Sequence, residues 1–319
     1  MSLLQAVEKG NSKISKQELF AGMIANAWFT VNYFHVSFGK QDLIQKAIEA
    51  VKELEKIPID ENQHIVQNKL ANTGNKETLR QLGHFNKNVP HWFLSPWFHS
   101  LEKSDIYIAS QKFENKCLYA LFEEEIHINP QWMVYLTDNV RLLKDFCHWN
   151  LALFLQSKNP NVPDIPNKLI KPATRNSLTN QRRLFWDLVV NELGSVNCIY
   201  TGNKLIVGNY AVEHFIPYNF VSHDLIWNLI PADKAFNSSK SDKLPSMQKY
   251  FDSFYLLQKT AIEIVKAKSP KNKFLEDYLT IFSDLDEINS LTHNFTKEKF
   301  KERIQPLITI ASNNGFEFL

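Results

Sequence analysis

The sequence has little net charge, few cysteines and no long apolar run. Its 36 lysines and arginines nearly balance 34 aspartates and glutamates, so it lacks the overall basic excess of a histone-like nucleic-acid binder. The three cysteines are widely spaced and odd in number, which argues against a disulfide framework and for a reducing compartment. No stretch approaches the roughly eighteen apolar residues of a membrane span, and the first residues lack a secretory pattern. We therefore expect a soluble, cytoplasmic protein with no membrane association.

Internal repeats and low-complexity tracts are also missing. At 319 residues, with 44% hydrophobic and 13% aromatic content, the chain can bury a substantial core and form two or three structural units. The Pro/Asn-rich segment 159–166 is the best candidate for a domain boundary, although a rigid surface loop has the same composition. The predicted division is a mainly helical domain at 1–158, a second module at 167–246, and a helical segment at 247–319 that packs on the body.

Helical periodicity dominates the first half of the chain. Ser15 and Glu18 form a capping box ahead of a helical apolar stripe, and a long helix is predicted over 130–156. Short strands are predicted at 106–108 and 126–128. The aromatic-rich run 28–38 has a composition that can stack unpaired bases, but packed core is the commoner role of such a run.

The second half contains a compact group of polar residues in a short strand-and-turn pattern. Apolar runs at 198–200 and 205–207, and the run 210–214, are separated by Gly/Asn turns, which predicts a hairpin. A short helix is predicted over 233–240. Acidic, imidazole and amide side chains stand at the junctions of these elements: Glu213, His214, Asn228 and Asn237.

This segment resembles the ββα-metal finger of HNH endonucleases, and most of all the HNH domain of RNA-guided CRISPR nucleases and of restriction-type HNH nucleases. Asn228 follows His214 by fourteen residues and Asn237 follows nine residues later, which are the intervals of that subgroup. The resemblance also lies on Pro217, Phe220, Asp224, Ile226, Lys240, Ser241, Asp242 and Pro245. It implies a fold that is mainly α with a small α+β insert, a helical body carrying the finger.

Phosphodiester hydrolysis needs an activated water and stabilisation of the leaving oxygen. His214 is the candidate general base, provided that an acceptor fixes its other ring nitrogen. Glu213 and Asn237 offer oxygen ligands for Mg²⁺ or Mn²⁺, and Asn228 resembles the residue that braces the histidine loop. Taken singly, the asparagines could be turn or cap residues and His214 a hydrogen-bonded core histidine.

Two departures from the family pattern affect the expected metal content. Glu213 stands where aspartate is commoner, so its carboxylate reaches one methylene further. Many relatives hold a structural zinc with two cysteine pairs, whereas this chain retains only Cys198 of the first pair, with Thr201 at its partner position, and has no pair near 232–236. Since structural zinc needs four ligands, we predict no zinc and an apolar core there.

One locally basic run adjoins the finger. Lys240, one turn beyond Asn237, is predicted to reach a phosphate as a point charge. We interpret the basic run as a phosphate-contacting flank, although a solvated helix face would have the same composition. Its members are Lys168, Lys171, Arg175, Arg182 and Arg183.

These observations predict a metal-dependent HNH endonuclease that cuts DNA to 5′-phosphate and 3′-hydroxyl ends. Restriction or anti-phage defence is the expected setting. One finger cuts one strand, so duplex cleavage requires a homodimer or two successive events. Two alternatives stay open: the nuclease subunit of a larger defence assembly with a partner protein, and a catalytically silent nucleic-acid-binding module.

Overall fold

The computed structural model describes residues 1–39, 42–99, 101–171, 176–283 and 293–319. The chain divides into two compact units, the first formed by Met1–Pro160 with Ile165–Lys171 and the second by Asn161–Asp164 with Pro172–Leu319. Helices dominate both units, and the strands form only small antiparallel sheets. The predicted fold class, a mainly helical body with a small α+β insert, is therefore confirmed. The three-part division at 158, 167 and 246 stays a prediction.

The first unit combines helices with a three-stranded sheet in the order β1-β3-β2. Its strands are β1 (Lys13–Ser15), β2 (Tyr119–Leu121) and β3 (Glu125–Ile128). Its helices are α1 (Ser2–Glu8), α2 (Lys16–Asn32), α3 (Leu43–Glu55), α4 (Gln63–Ala71), α5 (Lys76–Gly83), α6 (Val89–Trp92), α7 (Lys103–Ser110), α8 (Pro130–Asp138) and α9 (Val140–Lys158). Short 3₁₀ turns lie at His84–Lys87, Phe113–Asn115 and Ile165–Lys168.

Short-range sequence patterns predicted some of these features correctly and others wrongly. The Ser15 hydroxyl accepts a hydrogen bond from the Glu18 amide and caps α2, as the capping box predicts. Trp28 and Phe34 are buried, which agrees with the packed-core interpretation of the aromatic run. The strand predicted at 106–108 was wrong, because these residues lie in α7, with Ile106 buried and Ile108 exposed. The helix predicted over 130–156 is interrupted at Asn139, the boundary of α8 and α9.

The second unit begins with one nearly continuous helical stretch and ends with long helices. The stretch consists of α10 (Thr179–Gln181), a π-helical segment (Arg182–Trp186) and α11 (Asp187–Leu193). The strands are β4 (Val196–Asn197), β5 (Lys204–Leu205), β6 (Ala211–His214) and β7 (Leu229–Ala232). The remaining helices within the described residues are α12 (Tyr218–Val221), a 3₁₀ turn (Ile226–Asn228), α13 (Lys234–Lys240), α14 (Met247–Lys268), a 3₁₀ helix (Lys273–Thr280) and α15 (His293–Asn313).

The strand pairing in this unit differs from the predicted hairpin. β4 pairs with β5, whereas β6 pairs antiparallel with β7, which lies beyond a loop of fourteen residues. Aromatic packing fixes this second ribbon on the helices, since the Phe215 ring stacks on Phe254 of α14 at a centroid distance of 3.8 Å, and Phe254 contacts Phe300 of α15. The β6–β7–α13 order is thus the ββα unit, and α14 and α15 form its support.

Candidate active site

Asn228 closes the loop that follows β6. Its side-chain oxygen accepts a hydrogen bond from the Ile216 amide and its side-chain nitrogen donates to the Ile216 carbonyl, both at 2.8 Å. The Asn228 carbonyl accepts a further bond from the Phe215 amide at 2.7 Å. Asn228 is completely buried, so these three bonds fix the backbone immediately after His214 without contact with solvent.

The helices after the finger hold the 3₁₀ turn that carries Asn228. Gln258 of α14 donates from Nε2 to the Leu229 carbonyl at 2.7 Å, and its side-chain oxygen accepts a bond from the Tyr278 hydroxyl. Asp277 accepts a bond from the Ile226 amide at 2.7 Å. Burial raises the pKa of the Asp277 carboxyl. Residues 247–283 therefore belong to the structural support of the candidate site.

The His214 imidazole has a carboxylate partner. Its Nε2 lies 2.9 Å from Asp224 Oδ1, and its ring packs edge-on against Tyr218. His214 is mostly buried, at 7% exposure. A carboxylate that accepts the proton of one ring nitrogen fixes the tautomer and orientation of the ring and leaves the other nitrogen to act as a base. Asp224 thus fills the acceptor position that a histidine base requires.

The Glu213 carboxylate is paired with Lys240. Lys240 Nζ lies 2.8 Å from Glu213 Oε1 and 2.9 Å from the His214 carbonyl oxygen, and Lys240 has no exposed surface. Burial lowers the pKa of this lysine, while the adjacent carboxylate opposes the shift. The sequence-based prediction that Lys240 contacts a phosphate therefore needs correction: in this structure its ammonium group is buried and bonds to Glu213 and to the His214 carbonyl oxygen on β6.

Asn237 lies one turn before Lys240 on α13, and its side-chain oxygen is buried with no hydrogen-bond partner. A buried acceptor without a partner is costly in a folded protein unless a ligand completes it. Together with the Glu213 carboxylate, which has lone pairs beyond the one facing Lys240, it offers hard oxygen donors of the kind that Mg²⁺ and Mn²⁺ prefer. The residues present therefore fit a divalent ion that keeps most of its waters. Within the described residues no group of three or more His, Cys, Asp or Glu side chains is placed to hold a metal ion by itself.

Aromatic and polar contacts occupy the region between Cys198 and the start of α13, for which the sequence predicts an apolar core without zinc. Tyr200 stacks on Phe236 at 4.6 Å and packs edge-on against Tyr250. Cys198 Sγ accepts a bond from the Asp233 amide, and Asn203 donates to the Asp233 carboxylate at 3.0 Å. This last bond lowers the pKa of Asp233. The turn before β5 is thereby tied to the start of α13 by protein groups.

The residues of the basic flank are divided between the two units. Lys168 is buried and Lys171 lies over the rings of Phe29 and Tyr33, both within the first unit. Arg182 is partly buried and Arg183 is exposed, both on the π-helical segment. The remaining candidate, Arg175, lies outside the described residues. Within the part of the chain that is described, neither Arg182 nor Arg183 bonds to Glu213, His214, Asn228 or Asn237.

The sequence pattern predicts no role for three residues that the structure places in or beneath the candidate site. Asp224 was a matching motif position only, yet it is the partner of His214. Gln258 could have been noticed, because it interrupts the apolar stripe of α14 between Phe254 and Ala261, and a polar residue on a buried face needs a partner. Asp277 gave no local signal, since its contact with Ile226 joins residues far apart in the chain.

Comparison with known proteins agrees with this geometry. Residues 198–246 match the family model described as HNH endonuclease. No curated protein and no solved structure matches the chain. In the described residues, no helix is both long and apolar enough to cross a membrane.

Proposed function

We propose that this chain, whose residues 198–246 match the HNH endonuclease family model, is a metal-dependent endonuclease that cuts DNA and leaves 5′-phosphate and 3′-hydroxyl ends. The observation that carries the proposal is the placement of three groups on one ββα unit. His214 is oriented by Asp224, Glu213 precedes it on the same strand, and the unsatisfied oxygen of Asn237 lies on the helix that packs on that strand.

His214 is the general base in this proposal. The Asp224 carboxylate accepts the proton of Nε2, so Nδ1 carries the lone pair that takes a proton from the attacking water. Asp224 also stabilises the imidazolium that results. Asn228 acts as a positioning residue, because its bonds to Ile216 and Phe215 hold the backbone that follows the base.

Glu213 and Asn237 would hold a magnesium or manganese ion. Bound there, the ion supplies charge stabilisation at the scissile phosphate and the leaving 3′ oxygen. Lys240 keeps Glu213 in place and neutralises its charge in the absence of other cations. The stacked rings of Tyr200 and Phe236 occupy this part of the finger, and this contact supports our prediction of no structural zinc there.

Arg183, with Arg182 and Arg175, is our candidate for the contact with DNA phosphates. Arg183 is exposed on the helical stretch that leads into the finger, and lysine or arginine contacts with phosphates supply most of the sequence-independent affinity for DNA. Cleavage of both strands requires two fingers or two successive events. A role in restriction or anti-phage defence, as a single enzyme or as the nuclease subunit of an assembly, belongs to the same proposal.

A catalytically silent nucleic-acid-binding module is the rival function. The joint presence of a base, its carboxylate partner and two oxygen ligands speaks against it, because binding alone needs none of them. Plasmid cleavage separates the two. We expect supercoiled plasmid to be nicked or linearised by the purified chain with Mg²⁺ or Mn²⁺ and to stay intact with EDTA, while His214→Ala loses at least about 10²-fold in rate. Equal cleavage by His214→Ala would refute this assignment, and cleavage by neither protein under any metal would favour the silent module.

A further inference from the structure

Helix α9 of the first unit is apolar on two opposite faces. On its inner face Val140, Leu143 and Cys147 pack against the core of the unit, and Leu155 is buried. On its outer face large apolar side chains remain strongly exposed: Leu142 (68%), Phe146 (64%), Trp149 (62%) and Leu153 (52%). We call these four residues the α9 stripe. A helix that is apolar on opposite faces is normally buried on both, and no other described residue of the first unit covers this face.

The stripe is too large to be the scattered exposure found on any protein surface. Phe154 of the same helix, and Val134 and Tyr135 on the preceding helix α8, are also exposed. From the size of such side chains the four members of the stripe present roughly 500 Å² of apolar surface, and the polar residues around them add to the area that each partner contributes to an interface, about 800 Å² in the standard case. Monomeric proteins seldom expose a patch of this size. Polar residues border it as a rim does, with Asp138, Arg141 and Asp145 along one edge and Asn150 and Ser157 along the other.

The spacing of the stripe indicates that a helix covers it. The intervals between its members are four, three and four residues, which is the seam of a helix that pairs with another helix through knobs-into-holes packing. The same intervals are found when the helix is followed in the opposite direction. A second α9 laid antiparallel therefore places Leu142 against Leu153 of the other copy and Phe146 against Trp149 of the other copy, with opposed helix dipoles.

We propose that the α9 stripe is a twofold dimerisation surface, at which two copies of this chain associate through antiparallel α9 helices. Self-complementarity of one patch is what a twofold interface requires. Of the four layers, the two in the centre are Phe146–Trp149 pairs and the one at each end is a Leu142–Leu153 pair, so aromatic rings fill the middle and leucines close the ends. The proposal stands apart from the nuclease function, since association is measured without substrate.

Sedimentation equilibrium of the full chain, in reducing buffer, tests the surface. We expect the wild type to be a dimer in the micromolar range, and Phe146→Glu and Trp149→Lys each to weaken association by at least about 10²-fold, the loss expected when a charge is buried at the centre of an apolar interface. Both substitutions lie on an exposed helix face, so circular dichroism and the melting temperature should stay close to wild type. The matched control is Ile65→Glu on α4, a residue of 50% exposure outside the stripe, which should remain dimeric.

Mixing the two variants tests the antiparallel register. In an antiparallel pair Glu at position 146 meets Lys at position 149 of the other chain, and the second central layer keeps its native Phe146 and Trp149. The mixture should therefore form a heterodimer, although each variant alone is monomeric. A parallel pair would leave both central layers mismatched, so a mixture that stays monomeric overturns the antiparallel register. A monomeric wild type, or a dimer indifferent to both substitutions, overturns the proposal as a whole.

Discussion

Lys240 Nζ bridges Glu213 Oε1 and the carbonyl oxygen of His214, at 2.8 and 2.9 Å. One buried cation therefore ties helix α13 to the two adjacent residues of β6 that carry the candidate ligand and the candidate base. Since Asn237 lies on the same helix, one turn earlier, this bridge also sets the distance between Asn237 and Glu213. The lysine thus acts on the chemistry through the geometry of its neighbours.

Replacing Lys240 by methionine should destabilise the second unit. The substitution keeps the apolar length of the side chain but leaves the Glu213 carboxylate, with only 11% of its side chain exposed, without its cation. Breaking one partner of a buried pair typically costs about 3–5 kcal/mol. Urea unfolding, followed by circular dichroism, measures this loss.

The double variant Lys240→Met with Glu213→Gln is the matched control, because it removes both charges and should recover part of the lost stability. A Lys240→Met protein as stable as wild type, with a weaker salt dependence of DNA binding, would return Lys240 to the phosphate-contacting role predicted from the sequence.

Asn237→Ala should separate metal binding from folding. Its side-chain oxygen has no hydrogen-bond partner, so alanine removes an unsatisfied buried acceptor and the melting temperature should be unchanged or slightly raised. Calorimetric titration with Mn²⁺ should nevertheless show weaker binding, by about 10-fold or more, through the lost oxygen ligand. Asn228→Ala is the contrast, since it breaks two side-chain bonds and should lower the melting temperature. Unchanged Mn²⁺ affinity in Asn237→Ala would place the ligand elsewhere.

Predictions from local sequence succeeded where the interaction itself is local. Ser15 and Glu18 are three residues apart, and their capping bond can be inferred from identity and spacing alone. The strand predicted at 106–108 failed because alternate isoleucines fit one turn of a helix with one face buried as well as a strand. The hairpin prediction paired β6 with the preceding run, whereas its partner β7 follows a longer loop, and nothing in the local pattern distinguishes the two pairings.

The same distinction between local and long-range interactions applies to the candidate site. The spacing of Glu213, His214, Asn228 and Asn237 could be read from the chain because one compact segment holds them all. The direction in which the Lys240 side chain points depends on the burial of α13 against β6, which spacing does not determine. Asp277 comes from a part of the chain about fifty residues away, so its contact depends on the tertiary fold.

Asp224→Asn should lower turnover without loss of substrate affinity. The amide can keep a contact with His214 but cannot accept and stabilise the imidazolium proton as a carboxylate does. Partners that orient a functional imidazole are worth on the order of 10–100-fold, so kcat should fall by that factor with KM nearly constant. Asp60→Asn, an exposed substitution in the first unit, is the control. Full activity of Asp224→Asn would mean that His214 does not depend on this carboxylate.

Arg183→Ala should weaken binding to every DNA duplex alike. The residue is exposed, and each lost phosphate contact lowers the slope of log affinity against log salt by about 0.9. Binding is measured with the His214→Ala background to prevent cleavage, with Lys13→Ala, an exposed lysine of the first unit, as the matched control. If Arg183→Ala leaves the slope of the His214→Ala protein unchanged, the arginine belongs to a solvated helix face and the DNA-guiding surface lies elsewhere.

Asp277→Asn should change how stability depends on pH. Burial raises the pKa of this carboxyl above its ordinary value of 3.8. At pH values between the pKa of the unfolded state and the pKa of the folded state, the native state therefore binds more protons than the unfolded state. The stabilisation from protonated Asp277 is therefore complete below about pH 4 and is lost as the pH rises through the raised pKa. Asparagine can accept the same bond from the Ile226 amide without ionising, so the variant should gain stability over wild type as the pH rises through this window. Urea unfolding at a series of pH values measures the difference, and a difference that is independent of pH would show that burial does not perturb this group.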